Sequence, residues 1–318
     1  EKSAGGVVSN IIPEFRIPLE AVDRDVEFIK DNGVKFNFKT KKTIKELRDE
    51  GFEYIFVSVG ATASNDPRVD GNGERESAIS FLLRSKRGQD IDLGKHVVVI
   101  GGGNTAMDAA RMAIRTKGVE DVTVVYRRSE EEMPADREEY ELALSDGVKF
   151  VFLASPSTVV DGLMTVKKMV LGEKDASGRR KPVDSGETFT LDCTYLISAI
   201  GEKADENVLK AIGLTEDDKV YVIGDTKTGP STVVRCIASA QSAVDDAIDK
   251  VYEDILASED DSEECTCEGE CTCGKGEEIE EEEGEEDIEE IRDEEDDFFA
   301  SIREKKARIT LSEPKGDK

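Results

Sequence analysis

The chain has one histidine and no tryptophan among its 318 residues, and of its six cysteines only Cys193 and Cys236 lie outside residues 259–297. A single histidine excludes every nucleophile triad or histidine metal centre that does not run through His96. At the head of the apolar run "KHVVVI", His96 reads as a surface or satisfied structural residue. Two scattered thiols make no disulfide framework and fit a reducing compartment, so a cytoplasmic location is expected. No apolar run has the length of a bilayer-spanning helix, and the opening "EKSAGG" lacks the charged-then-apolar order of a secretory leader. Positive charge is scarce as well, with 43 Lys and Arg against 72 Asp and Glu and a net charge of −29. That balance argues against nucleic acid or an anionic membrane surface as a general partner.

The acidity is local. Residues 259–297 hold 23 acids and two bases, Lys275 and Arg292, so −21 of the −29 is concentrated there. Such a tract has little apolar surface to offset the entropy of ordering and reads as a solvated linker over 258–297. Residues 298–318 regain some amphipathic character, as if a further element begins. Inside the linker, "CTCEGECTC" sets Cys265, Cys267, Cys271 and Cys273 in C-x-C-x3-C-x-C spacing. Four thiolates this close could hold a soft metal such as Zn2+ or Cu(I). The spacing is neither a zinc-ribbon nor a cluster pattern, and the alternative is a solvated tract without a site.

What is present is a regular alternation. "AGGVVSNIIPEFRIP" reads as a loop, followed by a helix with Val22, Val26 and Ile29 on one face and Gly33 as its stop. "VKFNFK" alternates as a strand, "TIKELRDEG" is a short helix, "EYIFVSVGA" is a buried strand, and 74–87 look helical. From Lys95 the order is strand 95–100, helix 104–117, strand 121–126, helix 136–146 and strand 148–153, which predicts a parallel sheet. Residues 163–199 suggest an antiparallel meander ending in the buried run "TYLISAIG", which closes on Gly201. After the strand "KVYVIGD" comes a helix over about 231–256. Its Val233, Ile237, Ala240, Val244, Ile248, Val251 and Ile255 fall on one stripe, expected to be buried.

Two stretches carry chemistry. "VVVIGGGNTAMDAAR" places Gly101, Gly103 and Ala106 as G-x-G-x-x-A, with Gly102 inside the turn and Asn104 and Thr105 opening a helix. Gly101 permits the tight turn, Gly103 lets a pyrophosphate approach the backbone, and Ala106 lets helix pack on strand. The next strand ends in Tyr126-Arg127-Arg128, where an NAD site would place an acid. Arginines there grip a 2′-phosphate with charge-assisted bonds, so NADPH is the expected cofactor, with Arg137 as a further contributor. The second stretch, "VYVIGDTKTGPSTVV", puts Gly224-Asp225 at a strand end before a glycine turn. The helix start at Ser231, Thr232 and Val233 is able to offer N–H groups to an electron-rich ring.

These motifs, together with "GGVVSNIIPEFRIP", "FVSVGA", "VYRRSEEEMP" and "ISAIG", occur in the order that resembles the small (beta) subunit of glutamate synthase and its relatives. The latter include large iron–sulfur flavoproteins named as selenate reductase subunits. The resemblance covers about residues 4–257. It implies an α/β chain of two Rossmann-like domains, with an NADPH domain at 73–201 inserted between FAD-domain portions at 1–72 and 202–257. It implies hydride transfer from NADPH to FAD with no catalytic side chain, Asp225 meeting the ribityl chain of FAD. Electrons would leave for iron–sulfur clusters in a partner subunit or domain, clusters this chain does not itself ligate. The family's first glycine motif, which grips the FAD pyrophosphate, falls before residue 4, so the chain is expected to be a fragment. A non-catalytic nucleotide-binding or docking segment with an acidic interaction tail is the alternative.

Overall fold

The structure is a computed structural model that describes residues 2–174 and 178–260. The acidic linker beyond 260, its four cysteines and the 298–318 segment lie outside the described residues.

The β-branched runs dictate the centre. Val97, Val98 and Val99 in the strand His96–Ile100, and Val122 and Val124 in the strand Asp121–Tyr126, are almost wholly buried. Strands apolar on both faces need cover on both, which a parallel sheet with crossover elements supplies. Five parallel strands stand in the order Glu74–Ser77, Tyr195–Ser198, His96–Ile100, Asp121–Tyr126, Lys149–Phe152. One face packs on helices Ala78–Lys86, Asn104–Ala113 and Arg137–Ser145 through Phe81, Leu82, Met107 and Tyr140. The other packs on the antiparallel meander Ala154–Val160, Leu163–Lys174 and Arg180–Asp192 through Met164, Val166 and Val159.

A third, smaller core joins distant segments. Ile55–Val57 pairs in parallel with Val220–Val222, and Ile44, Ile55 and Val57 pack with Leu209, Ile212 and Leu214. The helix Ile44–Asp49 that feeds this core carries a reciprocal capping box between Thr43 and Glu46.

Four local expectations are corrected. "VKFNFK" is not a strand: Phe36 and Phe38 stack on each other at 5.7 Å, and an alternating run without a neighbouring strand has nothing to pair with. Residues Glu74–Ser77 are an edge strand ahead of the helix, because pairing with Tyr195–Ser198 overrides a helix-like local composition. Gly6–Asn10 is a helical turn rather than loop. The stripe on the helix Val233–Asp260 is only partly covered, with Val233 45% and Ile237 52% exposed, since the two-stranded sheet beside it is narrow. Among the described residues no helix is long and apolar enough to cross a membrane.

Phe81 is 0% exposed at the centre of the largest cluster. Phe81→Ala should lower stability by about 3–5 kcal/mol, read as a shift of the urea midpoint.

Candidate functional site

The sheet order places the site. From His96–Ile100 the chain steps outward to Asp121–Tyr126 and Lys149–Phe152, then returns to Tyr195–Ser198 on the other side. The point of reversal lies at the carboxyl end of the glycine strand, where open α/β sheets leave a crevice. A cleft of about 770 Å³ opens there. It is lined by Gly101, Gly102, Gly103 and Thr105, by Arg127 and Arg128, and by Gly201.

The glycines have distinct tasks. Gly101 has φ 144°, and a Cβ there would lie 2.3 Å from the Ala199 carbonyl oxygen. A Cβ on Gly102 would lie 2.6 Å from the Tyr126 ring. At Gly103 a Cβ would meet nothing within 4 Å, so the space beside it is open. Gly103 is extended and leads into the helix Asn104–Ala113 with no side chain capping the helix start. Asn104 points its amide away from any such role: its Nδ2 donates to Asp136 Oδ2 at 2.7 Å, and its Oδ1 accepts from the Asp136 N–H at 2.9 Å. Ala106 is fully buried against the sheet. The helix start therefore presents its N–H groups and positive dipole end to the cleft.

The cations divide by environment. Arg127 is exposed, lines the cleft, and makes no hydrogen bond or ion pair among the described residues. Arg128 is 4% exposed, and its Nε donates to the Arg180 carbonyl at 2.8 Å, tying the strand end to the meander hairpin. Arg137 does not line the cleft; it pairs with Glu130 at 2.7 Å and Glu141 at 2.8 Å. Two arginines that the motif reading missed, Arg68 and Arg179, do line it. Arg179 belongs to the basic run Arg179-Arg180-Lys181 at a hairpin, a signal visible in sequence but without a partner until the hairpin folds back.

A network holds the glycine helix from its far side. Arg16 reaches Asp108 at 3.2 Å and Glu139 at 2.9 Å, while Arg111 reaches Glu139 at 3.1 Å and Asp146 at 2.8 Å. The Phe15 ring lies under the Arg111 and Arg115 guanidinium groups at 4.4 and 4.8 Å. Burial pushes the Asp108 carboxyl up to about 6 although Arg16 opposes the rise. Lone His96 sits in a strand-level contact, Nδ1 2.8 Å from Asp121 Oδ2, and has no part in the cleft.

The second stretch forms its own turn, apart from the cleft lining except at Pro230. Gly224 has φ 57°, and Asp225 Oδ1 accepts from the Ser231 N–H at 2.9 Å, Ser231 Oγ at 3.0 Å and Cys236 Sγ at 3.1 Å. Thr232 Oγ1 accepts from the Arg235 N–H at 3.3 Å, and Val233 is exposed. The Asp225 carboxylate thus closes the turn through one oxygen, and Oδ2 has no hydrogen bond among the described residues. Cys193 is buried, its thiol pushed up to about 11 by desolvation. Among the described residues no group of three or more His, Cys, Asp or Glu is placed to hold a metal ion.

A parallel sheet with helices on one face, an antiparallel meander on the other and a glycine turn at its switch point defines a dinucleotide-binding class. The chain belongs to the pyridine nucleotide-disulphide oxidoreductase family, whose sequence pattern it matches over residues 6–247. A protein named as an oxidoreductase in Escherichia coli K12, YgfK, is 44% identical over 264 residues, covering 77% of this chain and 26% of its own length. The NADPH-Fe(3+) oxidoreductase subunit beta of Geobacter sulfurreducens is 33% identical, with 76% of this chain and 44% of that protein covered. The NADPH glutamate synthase small chain of Azospirillum brasilense is 32% identical, with 76% of this chain and 58% of that one covered. The chain thus spans from 26% to 58% of the length of these relatives. Among solved structures, Mycobacterium tuberculosis FprA in complex with NADPH superposes with a TM-score of 0.64 at 17% identity, covering 84% of this chain and 78% of that one. At that identity the likeness is one of fold. The sequence contains no C-x-x-C, so family membership does not bring a redox dithiol of that spacing.

The Asp108 carboxyl binds a proton more tightly in the folded chain than in the unfolded one, whose ordinary value is 3.8. Its contribution to stability is therefore lost as pH rises from about 4 to about 6 and stays lost above that. Asp108→Asn should remove this slope, gaining on the parent by on the order of 2–3 kcal/mol across the window. Denaturation curves of the two proteins that stay parallel from pH 4 to 7 would contradict the assignment.

Proposed function

We propose that the cleft binds NADPH and that the chain is the electron-input part of a flavin-containing oxidoreductase. The observation that carries this is one cleft shared by an uncapped helix start, an open approach at Gly103 and the exposed guanidinium of Arg127. A pyrophosphate fits the first two, and a 2′-phosphate on the adenosine fits the third. Arg128, Arg179 and Arg68 add positive potential around it, whereas Arg137 is given no contact here. The cytoplasmic location and the cofactor choice are parts of the same proposal.

Residues 73–201 form the nucleotide domain in this reading, and residues 1–72 and 202–257 take the flavin side. Gly224, Asp225, Ser231, Thr232 and Val233 fit one end of FAD, a hydroxylated chain meeting Asp225 Oδ2. No pyrophosphate grip is assigned among them. When bound, NADPH supplies a hydride that FAD accepts. The chain's own residues bind and orient, and no side-chain acid or base is assigned to the transfer. Relatives named as an NADPH-Fe(3+) oxidoreductase beta subunit and a glutamate synthase small chain support a partner subunit; that it accepts electrons through iron–sulfur centres is part of the proposal.

Arg127→Ala tests the cofactor choice without disturbing a buried group. It should weaken NADPH by about 1.5–3 kcal/mol, tenfold or more, and leave NADH nearly unchanged in equilibrium titrations. Equal losses for the two nucleotides would remove the 2′-phosphate contact and with it the NADPH assignment.

A further inference from the structure

Among the described residues, four other than glycine have a positive φ: Lys39, Arg68, Leu153 and Asp161. Of these only Arg68, at φ 52°, lines the dinucleotide cleft. Left-handed backbone strains a residue that carries a Cβ, and it persists where the surroundings impose it, as they do at ligand sites. Arg68 is also exposed, and its guanidinium makes no hydrogen bond or ion pair among the described residues.

The backbone that carries Arg68 is tied on both sides. Before it, Asn65 donates twice to the Gly201 carbonyl, from its backbone N–H at 3.2 Å and from Nδ2 at 2.9 Å. Asp66 Oδ1 accepts from the Arg68 N–H at 2.9 Å, which closes the left-handed turn and engages the carboxylate next to it in the cleft lining. After it, Val69 is 3% exposed, its carbonyl accepts from Arg75, and Asp70–Gly71 pairs in parallel with Thr158–Val159. Arg68 therefore stands on a fixed strap rather than on a free loop.

The two faces of the sheet say what this strap meets. Val69 belongs with Ile100, Val125 and Ala154 to the core on the meander face. The glycine helix Asn104–Ala113 packs on the other face through Ala106 and Met107. Arg68 and the uncapped helix start thus come to the carboxyl end of the strand His96–Ile100 from opposite faces, with Ile100 and Gly101 between them in the cleft lining. An anion laid across that strand end takes N–H groups from the helix face and turns its remaining oxygens to the other. Arg127 stands to the side, after the neighbouring strand Asp121–Tyr126. The lateral cation suits a 2′-phosphate, and the facing one suits the group that lies on the glycine turn.

Resting on the NADPH reading above, we infer that Arg68 is a further binding residue of the cleft, its guanidinium gripping the dinucleotide pyrophosphate from the face opposite the glycine helix. The pyrophosphate is then held between backbone N–H groups and one arginine, and Arg68 serves a nucleotide with or without a 2′-phosphate.

The test uses the full chain and equilibrium titration with NADPH and NADH, which share the pyrophosphate and differ in the 2′-phosphate. Arg68→Ala should weaken both by about tenfold, unlike Arg127→Ala, which is expected to single out NADPH. Arg68→Gly accepts the positive φ without strain and also removes the guanidinium, so it should weaken both nucleotides as much as Arg68→Ala does. Arg68→Lys, which keeps both the charge and the strain, should recover part of the affinity for each. Unchanged affinities in Arg68→Ala and Arg68→Gly would overturn the role of Arg68 and leave the dinucleotide cleft standing. A loss in Arg68→Ala with parental affinity in Arg68→Gly would overturn it by assigning the effect to the shape of the strap. A loss confined to NADPH would overturn the pyrophosphate contact and move Arg68 to the 2′-phosphate. Failure of the parent chain to bind either dinucleotide would overturn the NADPH reading and this inference together.

Discussion

Two missing side chains let three strand ends meet. The Ala199 carbonyl and the Tyr126 ring occupy the positions that side chains at Gly101 and Gly102 would need. With any Cβ present, the strands His96–Ile100, Asp121–Tyr126 and Tyr195–Ser198 would have to part at their carboxyl ends. The cleft depends on that closeness. It brings Arg127 and Glu202 to either side of one turn, although 74 positions separate them in the chain. The Ala135 N–H donates to the Gly102 carbonyl at 2.9 Å, so the loop after the arginines is tied to the same turn.

The glycine turn was legible because its chemistry is local. Strand, glycines and helix lie within one continuous run, and each glycine acts on its immediate neighbours. The same locality made Arg127 visible, since the strand end after a glycine turn is a defined place in a βαβ unit. The cleft-lining arginines that sequence did not disclose are non-local. Arg179 reaches the cleft only because a hairpin folds onto the sheet, and Arg68 only because the segment after residue 60 crosses to meet Gly201. Arg137 is the reverse: near in sequence, it does not line the cleft and pairs with Glu130 and Glu141. Asp225 shows a third case. Its strand-end place was legible, but the competition of Ser231 and Cys236 for its Oδ1 was not.

The fold divides in the same manner. The valine-rich strands declared themselves by composition, because runs apolar on both faces have few alternatives to a covered parallel sheet. Glu74–Ser77 and "VKFNFK" were misread in opposite directions for one reason. Strand formation is decided by a partner, and Tyr195–Ser198 is present for the first while no strand pairs with the second. The stripe on Val233–Asp260 was correctly periodic but only partly covered, because periodicity reports a helix and says nothing of how wide its cover is.

Charge gives the cleft a direction. Arg127 and Arg128 stand where the strand Asp121–Tyr126 ends, and Glu202, with no cation beside its carboxyl, follows the strand Tyr195–Ser198. A ligand with phosphate at one extremity and an uncharged amide at the other has one favourable orientation in such a field; reversed, it would set phosphate against carboxylate and leave the arginine end unanswered. The backbone turn by itself is indifferent to that choice, because a pyrophosphate presents nearly the same face either way. Orientation therefore falls to the side chains at the two flanking strand ends. On the NADPH proposal, one orientation brings the nicotinamide half toward Pro230, which lines the cleft from the turn that begins at Asp225. An acidic chain can hold such a ligand because the potential that counts is local: near the glycine helix start it is set by N–H groups and arginines within a few ångströms, with the remaining charge screened by solvent.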